Sequence, residues 1–115
     1  MAFSATILNW GIIEYADAYE AAGELDNALN GVKWALDWLV KANPDPDTFY
    51  CQVGDGGADH GYWGPPENMG MWRPSIKTNG AEPPAEASAA LAAGYLVFKE
   101  RGEYQPANEW IDRYP

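Results

Sequence analysis

The sequence predicts an all-α chain of about three to four helices, interrupted by one long ordered connection rich in glycine, proline and aromatic residues. Two observations predict the helices. Residues 4–22 and 25–42 place apolar side chains at steps of four and three, the spacing of one helical face. Residues 84–101 repeat that spacing in an alanine-rich stretch. A third observation predicts the connection: about forty residues, 44–83, carry thirteen glycines and prolines together with Tyr50, Tyr62, Trp63, Met69, Met71 and Trp72.

In the first helix the stripe is Leu8, Ile12, Tyr15, Tyr19 and Ala22, and Ile7, Trp10 and Ile13 add apolar surface on other sides. A helix apolar over most of its circumference is expected to be largely buried. Gly23 suits a left-handed cap at its end. The second helix has the stripe Leu25, Leu29, Val32, Leu36 and Leu39, widened by Trp34, Trp38 and Val40. Asn43-Pro44 stops it, because proline disfavours helical geometry before it and cannot continue the helix. The short joint at Gly23-Glu24 predicts antiparallel neighbours. Trp10, Trp34 and Trp38, on helical stripes, are expected in the core.

The connection far exceeds the usual length of about 4–6 residues. Its aromatics point to an ordered, functional loop, with a short strand at Thr48 to Val53. Pro84 then suits the first turn of a third helix with the stripe Ala87, Leu91, Tyr95 and Phe98. Lys99 and Arg101 complement its C-terminal dipole, and Gly102 closes it. Residues 107–113 begin a fourth helix. Three helices with wide apolar faces do not close a core alone, so the sequence reads as a segment of a larger domain. A toroid of helix pairs, each giving a loop to a common face, accounts for both features.

A formal net charge of -10 excludes the basic footprint that nucleic acid or an anionic membrane requires. It suits a neutral partner such as a sugar. The six tryptophans imply either a larger parent core or a surface that stacks on flat ligands. Cys51 is the single cysteine, so neither an internal disulfide nor a cysteine metal cluster forms within the chain. No apolar run is long enough to span a membrane. The opening Met1-Ala2-Phe3-Ser4-Ala5-Thr6 lacks the basic region of a signal peptide, which by itself reads as intracellular.

Within the loop three runs stand out: Tyr50-Cys51-Gln52-Val53-Gly54-Asp55-Gly56, then Asp59-His60-Gly61-Tyr62-Trp63-Gly64-Pro65-Pro66-Glu67, then Met71-Trp72-Arg73-Pro74. They resemble the glycoside hydrolase family 9 pattern Y-x-Q-V-G-x-G, D-H-x-x-W-x-x-P-E, M-x-R-P. Met1-Ala2-Phe3 with Leu8-Asn9-Trp10-Gly11, and Ala85-Glu86-Ala87 with Ala89-Ala90-Leu91-Ala92-Ala93, are similar to the helices that flank that pattern. The likeness runs through essentially the whole chain in order. Departures are Cys51, where the family commonly has glycine, Pro66, and a short, proline-rich Asn79 to Pro84.

The resemblance implies a fragment of an (α/α)6 barrel, residues 1–115 being a partial catalytic domain truncated at both ends, with Met1 an internal methionine. It implies an inverting endo-β-1,4-glucanase (a cellulase) as the parent, secreted and monomeric, with β-1,4-glucan chains as partner and neither nucleic acid nor membrane. In the family the base lies in a D-A-G-D motif just before the position of Met1, and the acid is a glutamate near the far C-terminus; neither falls in these residues. Asp55-Gly56-Gly57-Ala58-Asp59-His60 imitates D-A-G-D-H, but its carboxylates are four apart instead of three. No catalytic residue is therefore expected here, and the isolated chain is expected to be inactive.

For substrate contact the resemblance points to His60 and Trp63. An indole face stacks on a pyranose and an imidazole bonds to hydroxyls. Read from the residues alone, the same pair is a loop histidine satisfied by Asp59 and a core tryptophan. Tyr62 and Trp72 suit either stacking on sugar or core packing. Arg73 is expected to brace the loop by pairing with Asp55 or Glu67, or to reach the cleft. Asp59 is expected to orient His60, and Glu86 to make a buried structural hydrogen bond near a helix start. No metal ligand is expected: the acidic residues lack EF-hand spacing, and no H-E-x-x-H occurs. The resemblance implies no cofactor in this segment and allows calcium elsewhere in the parent. Two other readings compete, a non-catalytic carbohydrate-binding remnant and a helical interaction protein whose aromatics are only core.

Overall fold

The computed structural model describes residues 1–99 and Arg101; the expected fourth helix at 107–113 lies outside the described residues. The elements, in chain order, are α1 (Ala2–Glu14), α2 (Ala16–Ala22), α3 (Leu25–Ala42), β1 (Tyr50–Val53), α4 (Gly56–Gly61), a 3-10 turn (Pro66–Asn68), β2 (Ser75–Lys77) and α5 (Glu82–Lys99). Helices α1, α3 and α5 pack on one another, and α2 packs against α3.

Helix α3 forms as its pattern predicts. Leu25, Leu29, Val32, Leu36 and Leu39 are all buried, and Ala42 extends the stripe to the helix end. Helix α2 ends in a Schellman motif: Gly23 adopts φ +72°, its N–H donates to the Glu20 carbonyl, and the Glu24 N–H donates to that of Tyr19. Facing α3, helix α5 buries Ala87, Ala90, Ala93, Gly94, Val97 and Phe98. A side chain at Gly94 would collide with the methyl groups of Leu36, so this glycine sets how closely the two helices approach. Leu91 and Tyr95, expected on the stripe, are only half-buried.

The expected single helix over 4–22 is two. Tyr15, at φ -130° and ψ 32°, ends α1, and its carbonyl then accepts from Ala18 and Tyr19 to start α2. The Asp17 carboxylate accepts the Ala18 N–H at 2.9 Å, a local bond that competes with helix continuation. No glycine or proline marks the break, so the apolar spacing runs straight through it. The inward face also differs from the expected stripe. Ala5, Thr6, Asn9 and Ile12 are buried, while Leu8 is 54% exposed and Tyr15 64%. Small side chains on α1 meet the alanine face of α5, and small groups permit close helix approach where bulky ones do not.

The expectation that the first helix is largely buried therefore fails: Phe3, Ile7, Leu8, Trp10 and Ile13 are exposed. So is Trp34 on α3, which, like Trp10, was expected in the core; Trp38 alone of the three packs against it. The three long helices do share an interior, with Leu36 and Ala90 fully enclosed. Their outer apolar faces have no cover within the described residues.

The long connection is more ordered than a coil. β1 and β2 pair antiparallel, with Tyr50 opposite Lys77, Gln52 opposite Ile76, Val53 opposite Ser75, and an irregularity at Cys51. The strand is shorter than the expected Thr48 to Val53, because Asn43 folds residues 43–48 into a turn. Its side-chain amide donates to the Asp45 carbonyl at 3.0 Å and the Thr48 carbonyl at 2.8 Å. Phe49 packs on the helical core and anchors the hairpin foot. α5 begins at Glu82, two residues before the expected start, and ends at Lys99. Among the described residues no helix is long and apolar enough to cross a membrane.

Candidate functional site

The loop from Gly54 to Pro74 is closed at its base and braced across its middle. At the base the Gly54 N–H donates to the Pro74 carbonyl at 2.8 Å, continuing the β1–β2 ladder by one step. Gly54 is buried with φ +95°, a conformation that favours glycine. The next residue, Asp55, is extended and caps α4: its Oδ1 accepts the Ala58 N–H at 2.8 Å. Asp55 is thus a helix cap and not a partner of Arg73. The signal for this short helix was legible as an aspartate ahead of Gly56-Gly57-Ala58-Asp59, but proline and glycine density masked it.

Asp59 and Arg73 supply the brace. Arg73 Nη1 donates to Asp59 Oδ1 at 2.8 Å and to Oδ2 at 3.0 Å, and Nη2 lies 3.7 Å from Met69 Sδ. Bracing is the role expected of Arg73, but its partner is Asp59, not Asp55 or Glu67. The Asp59 carboxylate thus meets Arg73 and makes no direct hydrogen bond to the His60 imidazole among the described residues. A carboxylate four residues past Asp55 lies within reach of the 71–74 segment, while Asp55 is turned back on its own helix.

His60 follows Asp59 in the last turn of α4 and is exposed. Tyr62 leaves the helix extended, half-buried, with its hydroxyl donating to the Pro65 carbonyl at 3.0 Å. That bond fixes the bend around Trp63, whose side chain is 95% exposed. Trp63 is therefore not a core residue, and Trp72, 82% exposed, is not one either. Pro65 and Pro66 then lead into the 3-10 turn.

Glu86 lies apart from this loop. It is exposed and makes no hydrogen bond among the described residues, so the expected buried bond is absent. It lines an open cavity of about 350 Å³ with Met1, Phe3, Trp38, Phe49 and Cys51. Among the described residues no three or more His, Cys, Asp or Glu side chains converge as metal ligands would.

The braced loop carries two exposed indoles, Trp63 and Trp72, and the exposed imidazole of His60. Such groups stack on and hydrogen-bond to a polyhydroxylated ligand. In this arrangement Asp55 caps α4 and Asp59 pairs with Arg73.

Comparison with known proteins identifies relatives of the chain. The chain is 51% identical over 104 residues to Endoglucanase 4 of Bacillus sp. (strain KSM-522), covering 87% of this chain and 16% of that protein. The structure of the endoglucanase from the termite Nasutitermes takasagoensis superposes with a TM-score of 0.91 at 41% identity, over 98% of this chain and 27% of that one. The cellulase Cel9M of C. cellulolyticium, solved in complex with cellobiose, superposes with a TM-score of 0.87 at 35% identity, over 97% and 27% of the two chains. The chain thus spans about a quarter or less of the proteins it matches. The described helices correspond to part of an (α/α)6 barrel. Residues 1–113 match the family model described as Glycosyl hydrolase family 9, and the chain belongs to that family.

Proposed function

We propose that residues 1–115 are part of the catalytic domain of an inverting endo-β-1,4-glucanase, and that their loop forms one wall of its glucan cleft. The observation that carries this reading is Trp63: an indole 95% exposed, three residues after His60, on a loop braced by Asp59 and Arg73. Leaving a large apolar ring in water is unfavourable by itself, and stacking on the C–H face of a glucose ring would recover that loss. The cellobiose bound by the related Cel9M supports a β-1,4-linked ligand.

Inversion requires one carboxylate that activates water and one carboxylic acid that protonates the leaving oxygen. We assign both to polypeptide outside residues 1–115. The role of this segment is then binding: Trp63 and Tyr62 as stacking surfaces, and His60 as a hydrogen-bonding group to hydroxyls. The parent enzyme is read as a secreted monomer.

Calorimetric titration of the chain with cellohexaose tests the binding reading. Saturable binding that Trp63→Ala abolishes is expected; binding that survives this substitution would contradict it. A reducing-sugar assay on carboxymethylcellulose tests the division of labour. The 115-residue chain is expected to release none, and measurable release would place the acid and base within it.

A further inference from the structure

The Asp59–Arg73 ion pair sits on a seat made by a glycine. Gly54 presents a bare Cα to it: a Cβ there would stand 2.8 Å from Arg73 Nη1 and 3.1 Å from Asp59 Oδ2. Three segments meet at this point: the end of β1, helix α4, and the residues leading into β2. We propose that Arg73 is a positioning residue for glucan binding, acting through Asp59 to hold His60 and Trp63 in place without touching the sugar itself. This inference rests on the glucan-cleft reading given above.

Helix α4 has six residues, far too few to be stable alone, and none of them is buried. It has no hydrophobic anchorage of its own. The Asp55 cap holds its start, and the bridge from Asp59, midway along it, to Arg73 ties it to the far side of the loop. His60 is the next residue after Asp59, and Trp63 follows three residues later. Loss of the bridge therefore frees the segment that carries both candidate sugar contacts.

The pair is half-exposed, with side-chain accessibilities of 46% for Arg73 and 32% for Asp59. Exposed pairs add only about 0–1 kcal/mol to global stability. The consequence of breaking it is felt in binding: a site that must be ordered when the ligand arrives binds more weakly than one already in place. A single guanidinium nitrogen makes both carboxylate contacts, so a lysine ammonium, a point donor, can replace it in part.

The test is calorimetric titration of the chain with cellohexaose, paired with thermal melting followed by circular dichroism. Arg73→Ala and Asp59→Asn are each expected to weaken binding about fivefold, and the double substitution no further, because both remove one bridge. Arg73→Lys is expected to restore most of the affinity lost in Arg73→Ala. Weakening by Arg73→Ala with wild-type binding by Asp59→Asn would mean that Arg73 contacts sugar directly, and overturns the positioning role. So does unchanged affinity in both variants while Trp63→Ala abolishes binding, a result that leaves the cleft reading intact. No binding by the wild-type chain, or none lost in Trp63→Ala, removes the cleft reading and the inference with it. Should Arg73→Ala fail to melt cooperatively, the near-isosteric Asp59→Asn carries the test, and unfolding of both assigns the bridge to folding instead.

Discussion

The helical layer and the long loop of this chain are held by different forces. In α1, α3 and α5 the fixed points are apolar side chains with almost no accessible surface, such as Leu36, Leu39, Ala90 and Val97. Between residues 43 and 86 only Thr48 and Gly54 are buried. There the fixed points are hydrogen bonds: Asn43 closing a turn, Gly54 to Pro74 at the loop base, Asp55 capping α4, and Arg73 on Asp59. The lesson is a separation of tasks. Burial sets the stability of the helices, while directional bonds set the shape of a surface that stays open to solvent.

The largest expected effect lies in the helical layer. Leu36 is 0% exposed and packs beneath Gly94. Leu36→Ala removes its buried methyl groups and leaves a cavity, so urea unfolding is expected to show a loss of about 2–5 kcal/mol. A loss below about 1 kcal/mol would mean that the three helices lack a common core, and the contrast with the loop would disappear.

A smaller effect is expected in the loop at Gly54. Alanine at this positive φ is strained and displaces Arg73 from its seat, which together cost about 1–3 kcal/mol. The distinguishing readout is locality. Amide exchange is expected to rise in residues 54–63 and to stay unchanged in α3 and α5. Uniform acceleration would show that loop and helices unfold as one unit, which the difference in their anchoring does not allow.

Next comes a flaw inside the helical layer. Asn9 is 0% exposed; its amide donates to the Ala5 carbonyl at 2.8 Å, but its Oδ1 has no partner among the described residues. A buried acceptor left unpaired costs about 1–3 kcal/mol, which at mid-range outweighs the about 0.5–1.5 kcal/mol returned by the bond that Asn9 does make. A serine can return its hydroxyl to the same carbonyl without the orphaned oxygen. Asn9→Ser is therefore expected to raise stability, by up to about 1 kcal/mol in urea unfolding. Destabilisation would show that the packing lost with the shorter side chain, or a partner of Oδ1, outweighs relief of the orphaned acceptor.

The same difference between regions governs how much was legible in the sequence. In α3 the apolar stripe, the glycine before it and the Asn43-Pro44 stop all agree, and the helix, its face and its ends follow. In α1 bulky residues surround the helix, so periodicity cannot tell which side is covered; the small residues Ala5, Thr6 and Asn9 win because α5 offers alanines. The break at Tyr15 leaves no mark of its own, since a backbone geometry that any residue can adopt has no signature. In the loop His60, Trp63 and Arg73 were visible as residue types in a family pattern. The pairing of Arg73 with Asp59 over Gly54 was not, because it depends on how residues 54–74 fold back, which no local spacing encodes.

Two tryptophans give the smallest expected effect and the sharpest form of the comparison. Trp34, on α3, is 72% exposed, and Trp63, on the loop, is 95% exposed. Trp63 buries almost no area in this chain and Trp34 only a minor part of its own, so each substitution to alanine is expected to change stability by less than about 1 kcal/mol. At Trp34 the gain in helix propensity on going to alanine even opposes the small loss of contact. Stability thus treats the two positions alike, and binding is expected to separate them. Trp34→Ala leaves the cellohexaose titration unchanged, whereas Trp63→Ala removes it. Equal loss of binding at both positions would mean that exposure of indole rings, and not the braced loop, is what the sugar recognises.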